Sequence, residues 1–230
     1  MTRIKYCGLR RVEDLALAEE LGVDYAGLVV VPASRRYVTP EQGRALNGWI
    51  GDHQANIQSV LVMMDLTRDE VLDVVEATGV RHVQLAGDES PALCRELREA
   101  HGLMVWKSWH VLSADESADA LRPALSAYVD AVDGILLDTA LRGQKGGTGA
   151  AFDWRYIAAA QRTAVGLPII VAGGLTPENV AELVREHRPY AVDVSSGIET
   201  EGLKDQQKMR AFVARVREVR DESGSGGTLR

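Results

Sequence analysis

Pro168-Ile169-Ile170-Val171-Ala172-Gly173-Gly174-Leu175 is the stretch that decides the fold. Its apolar residues run without polar alternation, as a strand covered on both faces requires, and such strands belong to parallel sheets. The same pattern recurs upstream in Ala26-Gly27-Leu28-Val29-Val30-Val31. Working outward, β-rich apolar runs cover Ile4–Gly8, Tyr25–Val31, Ser59–Met64, His82–Gly87, Leu103–Val111, Gly134–Asp138, Leu167–Gly174 and Ala191–Gly197. The segments between them have helical spacing. Thr67-Arg68-Asp69-Glu70 and Ser113-Ala114-Asp115-Glu116 read as capping boxes, and Ser90-Pro91 and Thr176-Pro177 as a cap followed by a proline at the first helical position. Strands alternating with helices throughout predict an α/β fold, a single (β/α)8 TIM barrel over residues 1–221. An open doubly wound sheet is the architectural alternative. Residues 222–230, with Ser223-Gly224-Ser225-Gly226-Gly227, predict a flexible tail.

Composition narrows the function. A length of 230 residues with 46% hydrophobic and 26% charged residues fits one globular domain. The net charge of −7 argues against a nucleic-acid or acidic-membrane binder, since no basic excess exists to neutralise phosphates. A small anionic substrate is still compatible, because a few backbone amides and an arginine bind a phosphate locally. Cys7 and Cys94 are the only cysteines, which implies no disulfide framework and fits a cytoplasmic protein. No run reaches the roughly 18 apolar residues that span a bilayer. His53, His82, His101, His110 and His187 lack metal-ligand spacing, so no metal is expected.

In a barrel of this kind the site forms at the C-terminal ends of the strands. Gly173 and Gly174 end strand seven, and Ser195, Ser196 and Gly197 end strand eight. Gly146-Gly147-Thr148-Gly149, containing Gly147 and Gly149, follows strand six. A single glycine-rich turn means little. Three at matching barrel positions point to a phosphorylated ligand. Cys7 ends strand one before Gly8, where side chains face the mouth, whereas Cys94 reads as a small buried hydrophobe. Asp138 closes Ile135-Leu136-Leu137, and an acid in a strand-end pocket is placed to donate a proton. Arg36, in the loop after strand two, could grip a carboxylate with both prongs, while Arg35 reads as a solvated neighbour. His110, near the end of strand five, is the one histidine placed near the mouth, and its ordinary reading is a core or rim residue.

Taken together, several segments resemble the phosphoribosylanthranilate isomerase family. They are Lys5-Tyr6-Cys7-Gly8-Leu9, Ser34-Arg35-Arg36-Tyr37-Val38, Val83-Gln84-Leu85 with Gly87-Asp88-Glu89, and Leu136-Leu137-Asp138. Further along come Gly146-Gly147-Thr148-Gly149 with Phe152-Asp153-Trp154, and Ala172-Gly173-Gly174-Leu175 with Pro177-Glu178-Asn179-Val180. Val192-Asp193-Val194-Ser195-Ser196-Gly197 with Glu199 completes the series in family order. The resemblance implies a tryptophan-pathway isomerase without cofactor or metal, acting as a monomer or homodimer. It would convert N-(5-phosphoribosyl)anthranilate to 1-(2-carboxyphenylamino)-1-deoxyribulose 5-phosphate by an Amadori rearrangement. It also implies Cys7 as general base, with a thiol pKa pulled below its free value of about 8.5, and Asp138 as general acid. Arg36 would hold the anthranilate carboxylate, and the glycine loops the phosphate.

The chain departs from the family pattern at Ala86, where histidine is usual, at Met63-Met64-Asp65, at Leu28-Val29-Val30-Val31 and at Trp106-Lys107-Ser108-Trp109-His110. These changes are expected in the half of the mouth that would take the aromatic ring. They keep open a divergent isomerase acting on another phosphoribosyl-linked amine. A non-catalytic phosphate-ligand binder is a second alternative, but it would need neither Cys7 nor Asp138. The related histidine-pathway isomerases are expected to carry an aspartate where Cys7 stands.

Overall fold

Parallel pairing closes the chain on itself. The computed structural model describes residues 1–110, 121–138 and 154–224. Strands β1 (Arg3–Cys7), β2 (Tyr25–Val29), β3 (Gln58–Met63), β4 (His82–Leu85), β5 (Met104–His110), β6 (Gly134–Asp138), β7 (Ile169–Ala172) and β8 (Ala191–Val194) form one closed barrel in sequence order. The open-sheet alternative is excluded by the seam, where β1 and β8 pair with Lys5 opposite Asp193. Helices α1 (Val12–Glu20), α2 (Pro40–Asp52), α3 (Arg68–Thr78), α4 (Pro91–Glu99), α5 (Leu121–Ser126), α6 (Arg155–Thr163), α7 (Val180–His187) and α8 (Gln206–Gly224) follow the strands in turn. A two-stranded hairpin, β9 (Glu199–Thr200) with β10 (Leu203–Lys204), lies between β8 and α8.

Local chemistry explains the helix starts. Thr39 and Thr67 form full capping boxes with Gln42 and Glu70, and Ser90 accepts from the Leu93 N–H ahead of Pro91. One expected start moves. Thr176 accepts from Glu178 N and its own N–H donates to Asn179, so residues 177–179 form a turn and α7 begins only at Val180. The side-chain bonds there favour a local turn over the first helical hydrogen bonds. The last helix runs to Gly224, so the expected tail boundary at 222 falls inside α8. The Ser113 capping box and residues 225–230 lie outside the described residues.

Alternation along each strand sorts the side chains. Ile4 and Tyr6 belong to the large apolar layer between barrel and helices, which turns Lys5 and Cys7 inward. The barrel floor is Tyr25, Val60, Trp106, Leu136, Ile170 and Ala191. Trp106 packs edge-on against Tyr25 and His82. Near the mouth, Val29, Val62 and Ala86 form a smaller apolar group with Cys7 and Val31 against it. Cys94 is fully buried, and burial pushes its thiol up to about 11. Among the described residues no helix is long and apolar enough to cross a membrane.

Candidate active site

At the end of β1, Cys7 keeps part of its surface open at the mouth while Lys5, two residues earlier, is fully buried beneath it. Lys5 Nζ donates to Asp193 Oδ1 across the seam at 3.0 Å. Gly27 on β2 makes room for both groups: a Cβ added there would sit 3.1 Å from Cys7 Sγ and 3.1 Å from Lys5 Nζ. Burial pulls the Lys5 amine down, yet Asp193 and Cys7 outweigh it and the net shift is upward. Burial also raises the Cys7 thiol, against the cations Lys5, Lys204 and Arg36, and Asp193 adds to the rise. The lowered thiol expected from the sequence is therefore overturned in the free protein, because desolvation of the thiolate exceeds the cationic field.

The hairpin explains how further charges reach Cys7. Glu201 and Gly202, at φ 52° and 81°, make its two-residue turn. It returns Lys204 to donate to the Cys7 carbonyl at 2.7 Å, to the Ser195 carbonyl at 3.1 Å and to Glu199 at 2.9 Å. Arg36 donates through Nε and Nη2 to both Glu199 oxygens at 2.7 Å, and Arg35 adds a third cationic contact at 2.9 Å. Gly8, at φ 78°, lets the Arg36 stem pass, since a Cβ there would strike it. Burial would raise the Glu199 carboxyl, but hydrogen bonds from Arg36 and Lys204 bring it down to about 2.

A carboxyl held below its unfolded value stabilises the fold above that value and loses this contribution as pH falls toward about 2. The stability gap between wild type and Glu199→Gln, measured by urea unfolding, is therefore expected to be full at neutral pH. It should shrink as pH drops through the carboxylate range. A gap independent of pH would remove the Glu199 charge from the argument.

Across the mouth, Asp138 ends β6 with its side chain 30% exposed, and His110 Nδ1 lies 3.5 Å from its Oδ2. Gly174, Ser196 and Gly197 line one recess of about 310 Å³ with Thr176 and Lys208. Gly173 and Ser195 stand one residue before them, just past the ends of β7 and β8, and Ser195 Oγ donates to the Cys7 carbonyl at 3.0 Å. A turn of 3₁₀ helix over Ser196–Ile198 gives this rim a helix start. Gly147 and Gly149 lie outside the described residues. A larger recess of about 800 Å³, lined by Thr2, Arg188 and Tyr190, opens at the opposite end of the barrel. Catalysis in this fold belongs to the C-terminal end, so that recess is not assigned to the reaction. Among the described residues no group of three or more His, Cys, Asp or Glu is placed to hold a metal ion.

The departures from the family pattern are rearranged. Trp106 is in the barrel floor, Met63 is buried in the outer layer, and Trp109 packs on Tyr128. Val29, Val31, Ala86 and His110 lie toward the mouth while Met63, Trp106 and Trp109 do not, so the expectation that all these positions line it is corrected. Side chains alternate across a strand, and a run of consecutive residues sends only every second one inward. Sequence reasoning named no role for Lys5, Asp193, Glu199 or Lys204. The signal for the last two was the Glu201-Gly202 pair, which reads as a tight hairpin turn.

The site is thus a closed (β/α)8 barrel with a thiol at the end of β1, a carboxyl at the end of β6 and a glycine-lined recess past β7 and β8. The family described as N-(5'phosphoribosyl)anthranilate (PRA) isomerase matches residues 4–215. A Brevibacillus brevis relative, N-(5'-phosphoribosyl)anthranilate isomerase, is 41% identical over 217 residues, covering 94% of each chain. The crystal structure of the Thermotoga maritima phosphoribosyl anthranilate isomerase superposes with TM-score 0.82 at 33% identity, covering 95% of this chain and 100% of that one. Another such isomerase, solved with reduced 1-(o-carboxyphenylamino)-1-deoxyribulose 5-phosphate, gives TM-score 0.78 at 31% identity over 95% and 100%. The chain belongs to the phosphoribosylanthranilate isomerase family and is an isomerase.

Proposed function

We propose that the protein converts N-(5'-phosphoribosyl)anthranilate to 1-(2-carboxyphenylamino)-1-deoxyribulose 5-phosphate in tryptophan biosynthesis, with Cys7 as general base and Asp138 as general acid. The observation that carries this reading is the placement of a thiol and a carboxyl at the ends of β1 and β6, facing one mouth. Asp138 gives its proton to the furanose ring oxygen. The C1′–O bond breaks and the anilino nitrogen lone pair closes a C1′=N iminium. The Cys7 thiolate then takes the C2′ proton, and the C–H pair becomes the C1′=C2′ bond of an enolamine. That enolamine tautomerises to the ketone.

The raised thiol fits this order of events. The iminium places a positive charge beside the carbon acid, and a nearby cation favours thiolate. Ring opening therefore helps to generate the base that the next step needs. Glycines Gly173, Gly174 and Gly197 with Ser195 and Ser196 hold the phosphate through backbone and hydroxyl donors, helped by Gly147 and Gly149. Val29, Val31 and Ala86 receive the aromatic ring on an apolar surface. Arg36 meets the anthranilate carboxylate with the guanidinium edge that Glu199 does not occupy, and Glu199 holds that edge in place. The deciding assay follows loss of fluorescence of freshly generated phosphoribosylanthranilate. Wild type is expected to turn over and Asp138→Asn to lose about 10²–10⁴-fold in kcat, the usual worth of a general acid. A folded wild type without turnover would shift the assignment to another phosphoribosyl amine.

A further inference from the structure

As general acid, Asp138 has to carry a proton into the reaction, and its side chain is 30% exposed at the mouth. The neighbouring strand supplies a partner. His110 stands opposite Asp138 in the β5–β6 register, with Nδ1 3.5 Å from Oδ2. Its other nitrogen, Nε2, lies 3.2 Å from the Ala86 carbonyl oxygen at the end of β4. A carbonyl only accepts, so Nε2 carries the hydrogen. The neutral ring then turns the Nδ1 lone pair toward Asp138. A lone pair facing a carboxylate is repulsive, whereas one facing a carboxylic O–H is a hydrogen bond. Moving that proton onto Nδ1 gives an imidazolium–carboxylate pair instead. Either arrangement keeps one proton between the two groups.

We propose that His110 and Asp138 form one acid unit sharing a single proton, with His110 the positioning residue that holds the proton at Asp138 for delivery to the substrate. The proposal rests on Asp138 being the general acid. Catalytic hydrogen bonds are often long in the free enzyme and tighten with substrate bound, which suits a 3.5 Å separation. Among the described residues, Asp193 on β8, with Lys5 paired behind it, also interacts electrostatically with Asp138, while the β7 neighbour in register is Ala172. The proton ledger closes over the cycle. The pair gives one proton to the ring oxygen, Cys7 returns its proton to C1′, and the C2′ hydroxyl proton goes back to the pair as the ketone forms.

The test is nitrogen-15 NMR of the histidine rings in the whole chain across the neutral pH range, with His110 assigned from the signal lost in His110→Asn. The neutral ring is expected as the Nε2–H tautomer. Its titration midpoint should fall in Asp138→Asn, which can share no proton. With phosphoribosylanthranilate, His110→Asn and His110→Gln should both lose about 10²-fold in kcat, at the low end for an acid–base group, with KM little changed. Their kcat/KM should also decline at lower pH on the alkaline side. An Nδ1–H tautomer in wild type, an unchanged midpoint in Asp138→Asn, or wild-type kcat in His110→Asn would each overturn the proposal. If wild type fails to turn over this substrate, the isomerase reading falls while the tautomer and midpoint still decide the shared proton.

Discussion

Replacing Cys7 with alanine is expected to lower kcat by about 10²–10⁴-fold, because the C2′ proton is left without a positioned base. Binding of a phosphorylated ligand should be nearly unchanged, since the glycine-lined recess at β7 and β8 does not use the sulfur. Steady-state kinetics separate the two: kcat falls, and the affinity for a product analogue stays. Wild-type kcat/KM should also climb with pH. Burial, opposed by Lys5, Lys204 and Arg36, holds the thiol above its ordinary value, so the thiolate fraction in the free enzyme is still growing above neutrality. Retention of most activity in Cys7→Ala would end the assignment of Cys7 as base. It would turn attention to the carboxyls of the mouth.

Lys5→Met is expected to cost about 3–5 kcal/mol of folding stability, the loss typical when one partner of a buried ion pair is removed. Lys5 is 0% and Asp193 7% exposed, and neither has a route to water that would compensate the other's loss. The methionine keeps most of the apolar stem, so the measured deficit reports chiefly the stranded Asp193 carboxylate. Adding Asp193→Asn to Lys5→Met should recover part of the loss, because an amide is less costly to bury than an unpaired charge. Urea unfolding of the wild type, both single variants and the double variant closes the cycle. A loss under about 1 kcal/mol for Lys5→Met, as for an exposed pair, would mean that water reaches the pair.

Much of the architecture was readable because its physics is local. Runs such as Ile169–Ala172 and Tyr25–Val29 are apolar on both faces only in a covered parallel sheet. The strand-end rule then located Cys7, Asp138 and the paired glycines without any knowledge of contacts. What escaped depends on partners far away in the chain. Lys5 reads as an ordinary strand polar residue until Asp193, 188 positions on, is seen opposite it. Glu199 and Lys204 sit in two-residue strands, too short for any periodic signal, although the turn between them carries one. Trp106 and Trp109 looked alike in sequence, yet one fills the floor and the other faces the helices. His110 was set aside as a rim residue because nothing in the sequence ties it to the Ala86 carbonyl.

The seam between β1 and β8 has a further consequence for how the enzyme comes into being. Cys7 and Lys5 are synthesised long before Asp193, Ser195, Glu199 and Lys204, the residues that neutralise or brace them. A nascent chain lacking β8 therefore carries an uncompensated amine in a sheet with two raw edges, a state prone to sticking to other chains. Closing the seam joins the two edges and brings these partners to Lys5 and Cys7 together. Fragments ending before that point should be inert and should aggregate, whatever fraction of the helices they have already formed.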